Sequence, residues 1–170
     1  MILSEPTGSR QNIAAVLLLA GTVATVGTAL GFEHLGGYIP CALCLEQRIP
    51  YYLAIPVAAL AAISAILNGP AIGTRLLLLA TAGLMLWGLY LGAFHSGVEW
   101  GGWAGPADCG AVAAPAAIGS AGVLDQLNSV IPPSCDKAAG RFLGLSFAGW
   151  NVVASLVLAA IALRGAFSRA

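Results

Sequence analysis

Four stretches, residues 13–32, 49–67, 76–94 and 142–163, contain no Asp, Glu, Lys or Arg. Within them the apolar positions run on continuously rather than alternating, which predicts helices and not the strands of a barrel. Each is close to the ~20 residues that a helix rising about 1.5 Å per residue needs to cross a hydrocarbon core of ~30 Å. Gly and Ala recur inside the runs, as expected where helices must approach closely without a hydrophobic drive between them. Pro50 suits a first helical turn, and Pro56 predicts a kink within the second run. The pattern predicts one all-α membrane domain over residues 1–170, a four-helix bundle with outward loops at 33–48 and 95–141. The first run exceeds the 7–15 apolar residues of a secretory signal, so it is expected to stay as a helix.

Composition narrows the function classes. Of 170 residues 59% are hydrophobic and 8% charged, with Lys+Arg 7 against Asp+Glu 7. So few charges cannot cover a water-soluble globule, and with no basic excess a nucleic-acid partner is not expected. Arg10, Arg75, Arg164 and Arg169 fall on the side of the termini, in short segments. Arg48, Lys137 and Arg141 fall on the other side, in longer loops. The positive-inside rule then places both termini in the cytoplasm. Trp100 and Trp103, just beyond the third run, are expected at the membrane interface.

All four cysteines fall in the outward loops, on the oxidising side: Cys41 and Cys44 as C-x-x-C, then Cys109 and Cys135. Three pairings are possible, and fixed staples or a single staple between loops are the plain alternatives to redox work. A four-cysteine zinc site lacks its second half, because Cys109 and Cys135 are 26 positions apart, and no metal is expected. The first pair sits in a loop too short to need a staple. Cys44 is expected near a helix N-terminus, where unpaired N–H groups favour a thiolate. Arg48, four residues on, shares its helix face and adds a cation at the lip of the membrane. Cys109 follows Gly105-Pro106-Ala107-Asp108, an exposed turn open to a partner's thiol. Between Cys109 and Cys135, Val123, Leu124, Leu127, Val130 and Ile131 recur at helical spacing, predicting a short helix in the membrane interface.

These residues resemble the DsbB family of disulfide bond formation proteins. The likeness rests on Pro40-Cys41-Ala42-Leu43-Cys44 with Glu46-Gln47-Arg48, on the run from Tyr90 to Trp100, and on Cys135-Asp136 before Phe142-Leu143-Gly144-Leu145. It implies a bacterial inner-membrane thiol:quinone oxidoreductase, using ubiquinone or menaquinone, that reoxidises a periplasmic DsbA-like dithiol oxidase. By the same resemblance Cys109 forms the mixed disulfide with that partner and Cys135 passes the exchange on. Cys41 then receives the attack, which frees Cys44 as the thiolate facing the quinone. Arg48 holds a quinone carbonyl, with Glu46 and His95 as further quinone-site candidates. Partners of this type stand near about −120 mV, so glutathione would oxidise them only against roughly 60 mV, about 3 kcal/mol; a stronger terminal oxidant is required. A vitamin K epoxide reductase-like protein is the rival enzyme, but its C-x-x-C belongs near the end of a late span. The last apolar run here contains no Cys. A scaffold with permanently closed disulfides is the non-enzymatic alternative.

Overall fold

The computed structural model of the chain describes residues 7–106, 109 and 134–168. Among these residues the elements are α1 (Ser9–His34), α2 (Ala42–Glu46), α3 (Ile49–Ile66), α4 (Ala71–Glu99), β1 (Arg141–Phe142), β2 (Leu145–Ser146) and α5 (Phe147–Ala166). Four helical segments are long and apolar enough to cross a membrane, the second running through α2 and α3 from Ala42 to Ile66. The expected four-helix membrane bundle is therefore present. The interfacial helix expected at 123–131 lies outside the described residues.

α4 packs chiefly on α5 and α3, and α1 on α3 and α5. α1 and α4 thus stand on one diagonal of the bundle, α3 and α5 on the other. The seams are lined with small residues. α3 buries Ala54, Ala58, Ala61, Ala62 and Ala65, a single helical face, and α5 buries Ser155, Ala159 and Ala162. Dispersion between closely approached backbones is what holds helices together where lipid is as apolar as the core. Gly92 of α4 marks one such approach: a Cβ there would lie 3.2 Å from the Val152 backbone nitrogen of α5. Two buried hydroxyls are satisfied inside their own helix, Thr22 donating to the Leu18 carbonyl at 2.8 Å and Thr81 to that of Leu77 at 2.9 Å. Large apolar side chains such as Leu60, Ile63, Leu76 and Tyr90 face outward, as a lipid-facing surface requires.

Helix ends depart from the charge-free runs where local chemistry decides. α4 extends beyond its charge-free run at both ends, taking in Arg75 and ending on Glu99. Pro50 lies in the first turn of α3, and the helix runs on through Pro56. The last apolar run opens with a hairpin rather than a helix. Arg141 pairs with Ser146 and Phe142 with Leu145. The two residues between, Leu143 (φ 51°) and Gly144 (φ 85°), both adopt positive φ, as a two-residue hairpin turn demands. Ser146 then caps α5, its Oγ accepting from the Gly149 N–H at 3.1 Å.

Candidate functional site

The functional side chains gather at the end of the bundle away from the termini. Cys41 is the N-cap of α2 with extended backbone, and its sulfur accepts the Cys44 N–H at 3.3 Å. The two sulfurs are 2.8 Å apart and both thiols are free. Sequence placed the helix-terminus effect on Cys44; the structure gives that amide to Cys41, because the cap position falls on the first cysteine and not the second. The Cys41 thiol is accordingly held down from its ordinary 9.0 to about 4, chiefly by the Cys44 thiol donating to it. His95 and the Cys44 N–H add to that effect, and burial opposes it.

Cys109 and Cys135 are bonded to each other, with Cα atoms 5.5 Å apart. Cys135 is 1% exposed and shares one apolar cluster with Cys41, Leu43 and Val98, against which Cys44, Phe94 and Cys109 pack. The fold therefore brings both pairs together, although 26 residues separate the members of the second. Trp103 stacks on Phe94 and donates to its carbonyl at 2.9 Å, while Trp100 is exposed.

On one side of the first pair lies a cavity of about 600 Å³. Its walls are α1 from Ala24 to Glu33, the segment carrying Cys44, Gln47, Arg48 and Tyr51, and the start of α5 with Phe147, Trp150 and Asn151. Phe147 packs against Phe32 at 4.8 Å between ring centroids and against Tyr38 at 5.4 Å. Arg48 donates to the Glu33 carboxylate, an ion pair that ties α3 to α1. Glu46 is exposed and does not line the cavity.

His95 lies on the other side of the pair. It is 2% exposed, with Nε2 3.7 Å from the Cys41 sulfur and Nδ1 2.6 Å from the Gln47 amide nitrogen. A small cleft there is lined by Cys41, Cys44, His95, Glu99 and Lys137, among others. Cys44 thus borders both spaces and His95 only the second. Cys41, Cys44 and His95 bring one donor atom each within 4.8 Å of the others. Such a set takes a metal only if His95 turns a lone pair to the sulfurs, which the Gln47 contact opposes.

Comparison with known proteins bears on what this arrangement is. The family model described as disulfide bond formation protein DsbB matches residues 11–164. The chain belongs to the DsbB family. A disulfide bond formation protein B of Polaromonas naphthalenivorans (strain CJ2) is 30% identical over 176 residues, covering 96% of this chain and 94% of that protein. The uncharacterized protein RP370 of Rickettsia prowazekii (strain Madrid E) is 28% identical over 150 residues, covering 88% and 84%. No solved structure matches significantly. Membership makes this a multi-pass membrane protein of disulfide bond formation.

Within this DsbB-family site, several residues carry no motif signal of their own. Glu33 sits at the end of an apolar run and meets Arg48 only because α1 and α3 are adjacent. Tyr51 reaches across the bundle to Asn151 and Ser155 of α5, both at 2.7 Å. Asn151 is a polar interruption in the last apolar run, and that interruption was the signal available for it.

Proposed function

We propose that this chain is a quinone-linked thiol oxidase of the bacterial inner membrane that reoxidises a periplasmic DsbA-type dithiol oxidase, with both termini cytoplasmic and the cysteine loops periplasmic. The position of Cys44 carries this reading: its side chain lines the large cavity beside Arg48, while its sulfur is 2.8 Å from Cys41, which packs in one cluster with Cys135. One cysteine pair therefore borders both a lipid-side cavity and an aqueous-side disulfide.

The cavity fits a flat, lipid-soluble ring bearing carbonyls. Its volume falls within the ~300–1,000 Å³ of small-ligand sites, and its lining is largely apolar. Arg48, Gln47 and Tyr51 on one wall and Asn151 on the α5 wall supply polar groups. Arg48 spends one nitrogen on Glu33 and keeps further donors of its fork for a carbonyl. A bound quinone supplies the acceptor for two electrons and two protons.

The cysteines perform the exchange. With both pairs oxidised, a partner thiolate attacks Cys109 and Cys135 leaves as thiolate. Cys135 attacks Cys41; the Cys41–Cys135 bond forms, the Cys41–Cys44 bond breaks and Cys44 leaves with the electron pair. The partner's second thiol displaces Cys109. Cys109 then attacks Cys135, restoring the outer disulfide and releasing Cys41 as thiolate. The described arrangement, with Cys109–Cys135 bonded and Cys41 and Cys44 free, corresponds to this last state.

The test is quinone reduction by purified protein with a reduced DsbA-type partner. Cys44→Ser is expected to abolish turnover, and Arg48→Ala to raise the apparent KM for quinone about tenfold, from loss of one charge-assisted hydrogen bond. Full turnover by Cys44→Ser rejects the relay. Cysteines that never trap a partner in intact cells would favour fixed staples instead.

A further inference from the structure

A line of hydrogen bonds runs through α5, the α2–α3 junction and α4, and backbone carbonyls fix its direction at two points. The Asn151 amide nitrogen lies 3.3 Å from the Gly88 carbonyl and 2.7 Å from Gln47 Oε1. A carbonyl only accepts, so Asn151 presents nitrogen and Gln47 answers with oxygen. The other Gln47 amide atom lies 3.2 Å from the Leu43 carbonyl and 2.6 Å from His95 Nδ1. By the same rule it is nitrogen and donates to both. Nδ1 is then an acceptor, and the hydrogen of the neutral ring sits on Nε2. That N–H faces the Cys41 sulfur at 3.7 Å and the Glu99 carboxylate at 3.9 Å.

We propose that Gln47 is a positioning residue that holds His95 as the Nε2–H tautomer, which makes the ring a standing hydrogen-bond donor to the Cys41 sulfur. The role given to Cys41 rests on the thiol-oxidase reading; the tautomer does not. When Cys109 attacks Cys135, the new bond joins those two sulfurs, the Cys41–Cys135 bond breaks and the electron pair departs on Cys41. A donor already aimed at that sulfur takes up part of the charge as it forms, with no proton to be moved. A ring with a bare Nε2 would set lone pair against lone pair there, and would be free to join Cys41 and Cys44 on a metal. Among the described residues, the titratable groups that share the cleft with the ring are Cys41 and Cys44 at the two ends of the C-x-x-C, Glu99 on the ring's own helix and Lys137 in the loop.

The experiment is nitrogen NMR of the histidine rings in the reduced, full-length protein. The chain has two His, so His34→Gln assigns His95. The expected spectrum near neutral pH shows Nε2 bonded to hydrogen and Nδ1 bare. Gln47→Leu is expected to lose that preference and to slow exchange between the two cysteine pairs, followed without quinone, by about tenfold. An Nδ1–H ring in the wild type overturns the proposal, as do unchanged ring signals in Gln47→Leu; if that variant does not fold, the wild-type spectrum decides alone. An Nε2–H ring in a protein that never reduces quinone supports the positioning and sinks the oxidase reading. Turnover with an Nδ1–H ring does the reverse.

Discussion

At the scale of the residue, a sulfur occupies the place that Ser or Asp usually takes as an N-cap, and this sets the character of the first pair. Cys41 accepts both an amide hydrogen and a thiol hydrogen from Cys44. Its folded value, about 4, lies below the ordinary 9.0. The sign follows: the reduced folded state binds fewer protons than the unfolded chain between these values. Stability from this group is thus complete above pH 9.0 and lost as pH falls through about 4. Reduced protein is expected to gain unfolding resistance from acid to neutral pH relative to Cys41→Ser, and its thiolate ultraviolet absorbance to persist well below neutrality. Parallel unfolding curves for the two proteins from pH 5 to pH 8 would contradict this (the interval lying inside the window just given). The C-x-x-C was plain in the chain, but which cysteine caps the helix was not, since α2 is only five residues long. Continuous apolar periodicity carries no mark of so short a turn, and the break at Gln47–Arg48 falls between two segments that read as one lip.

At the scale of the element, spans were legible because hydrocarbon excludes charge over long runs, and that constraint is averaged over about twenty residues. The hairpin at 141–146 was not, because Leu143 and Gly144 belong to the apolar alphabet and the turn is set by φ alone. Ser146 was the available cue, a cap residue inside an apolar run. The seam between α4 and α5 is more demanding than composition shows. Gly92→Leu puts side-chain atoms where Asn151 and Val152 already stand, with even a Cβ 3.0 Å from Asn151 Nδ2. It is expected to cost about 1–3 kcal/mol by overpacking and to displace Asn151 from Gln47. Gly83→Leu, where a Cβ meets nothing within 4 Å, serves as the lipid-facing comparison and is expected to leave thermal unfolding in detergent nearly unchanged. Equal losses for the two would show that the seam is looser than drawn.

At the scale of the whole molecule, the cavity depends on which helices neighbour which, and α1 holds no recognisable motif. Neither the Glu33 contact with Arg48 nor the Gln47 contact with His95, 48 positions apart, is written in any local pattern. Both follow from the rotation of each helix about its axis, which small-residue seams set collectively. If the cavity takes a quinone as proposed, the tie between Glu33 and Arg48 bears on what else could enter it. A bilayer is crowded with amphiphiles whose heads are anions and whose tails suit an apolar groove, and an unaccompanied guanidinium at the mouth of one is a fatty-acid trap. Glu33 already takes one arm of the Arg48 fork, the place where a lipid carboxylate would settle, so under the proposed reading the remaining donors would serve an uncharged guest. Glu33→Gln should therefore make the protein sensitive to inhibition by long-chain fatty acids that the wild type ignores, with an inhibition constant lower by at least about tenfold. On that outcome the first helix, silent in sequence, would be the doorkeeper that keeps the membrane's own detergents out.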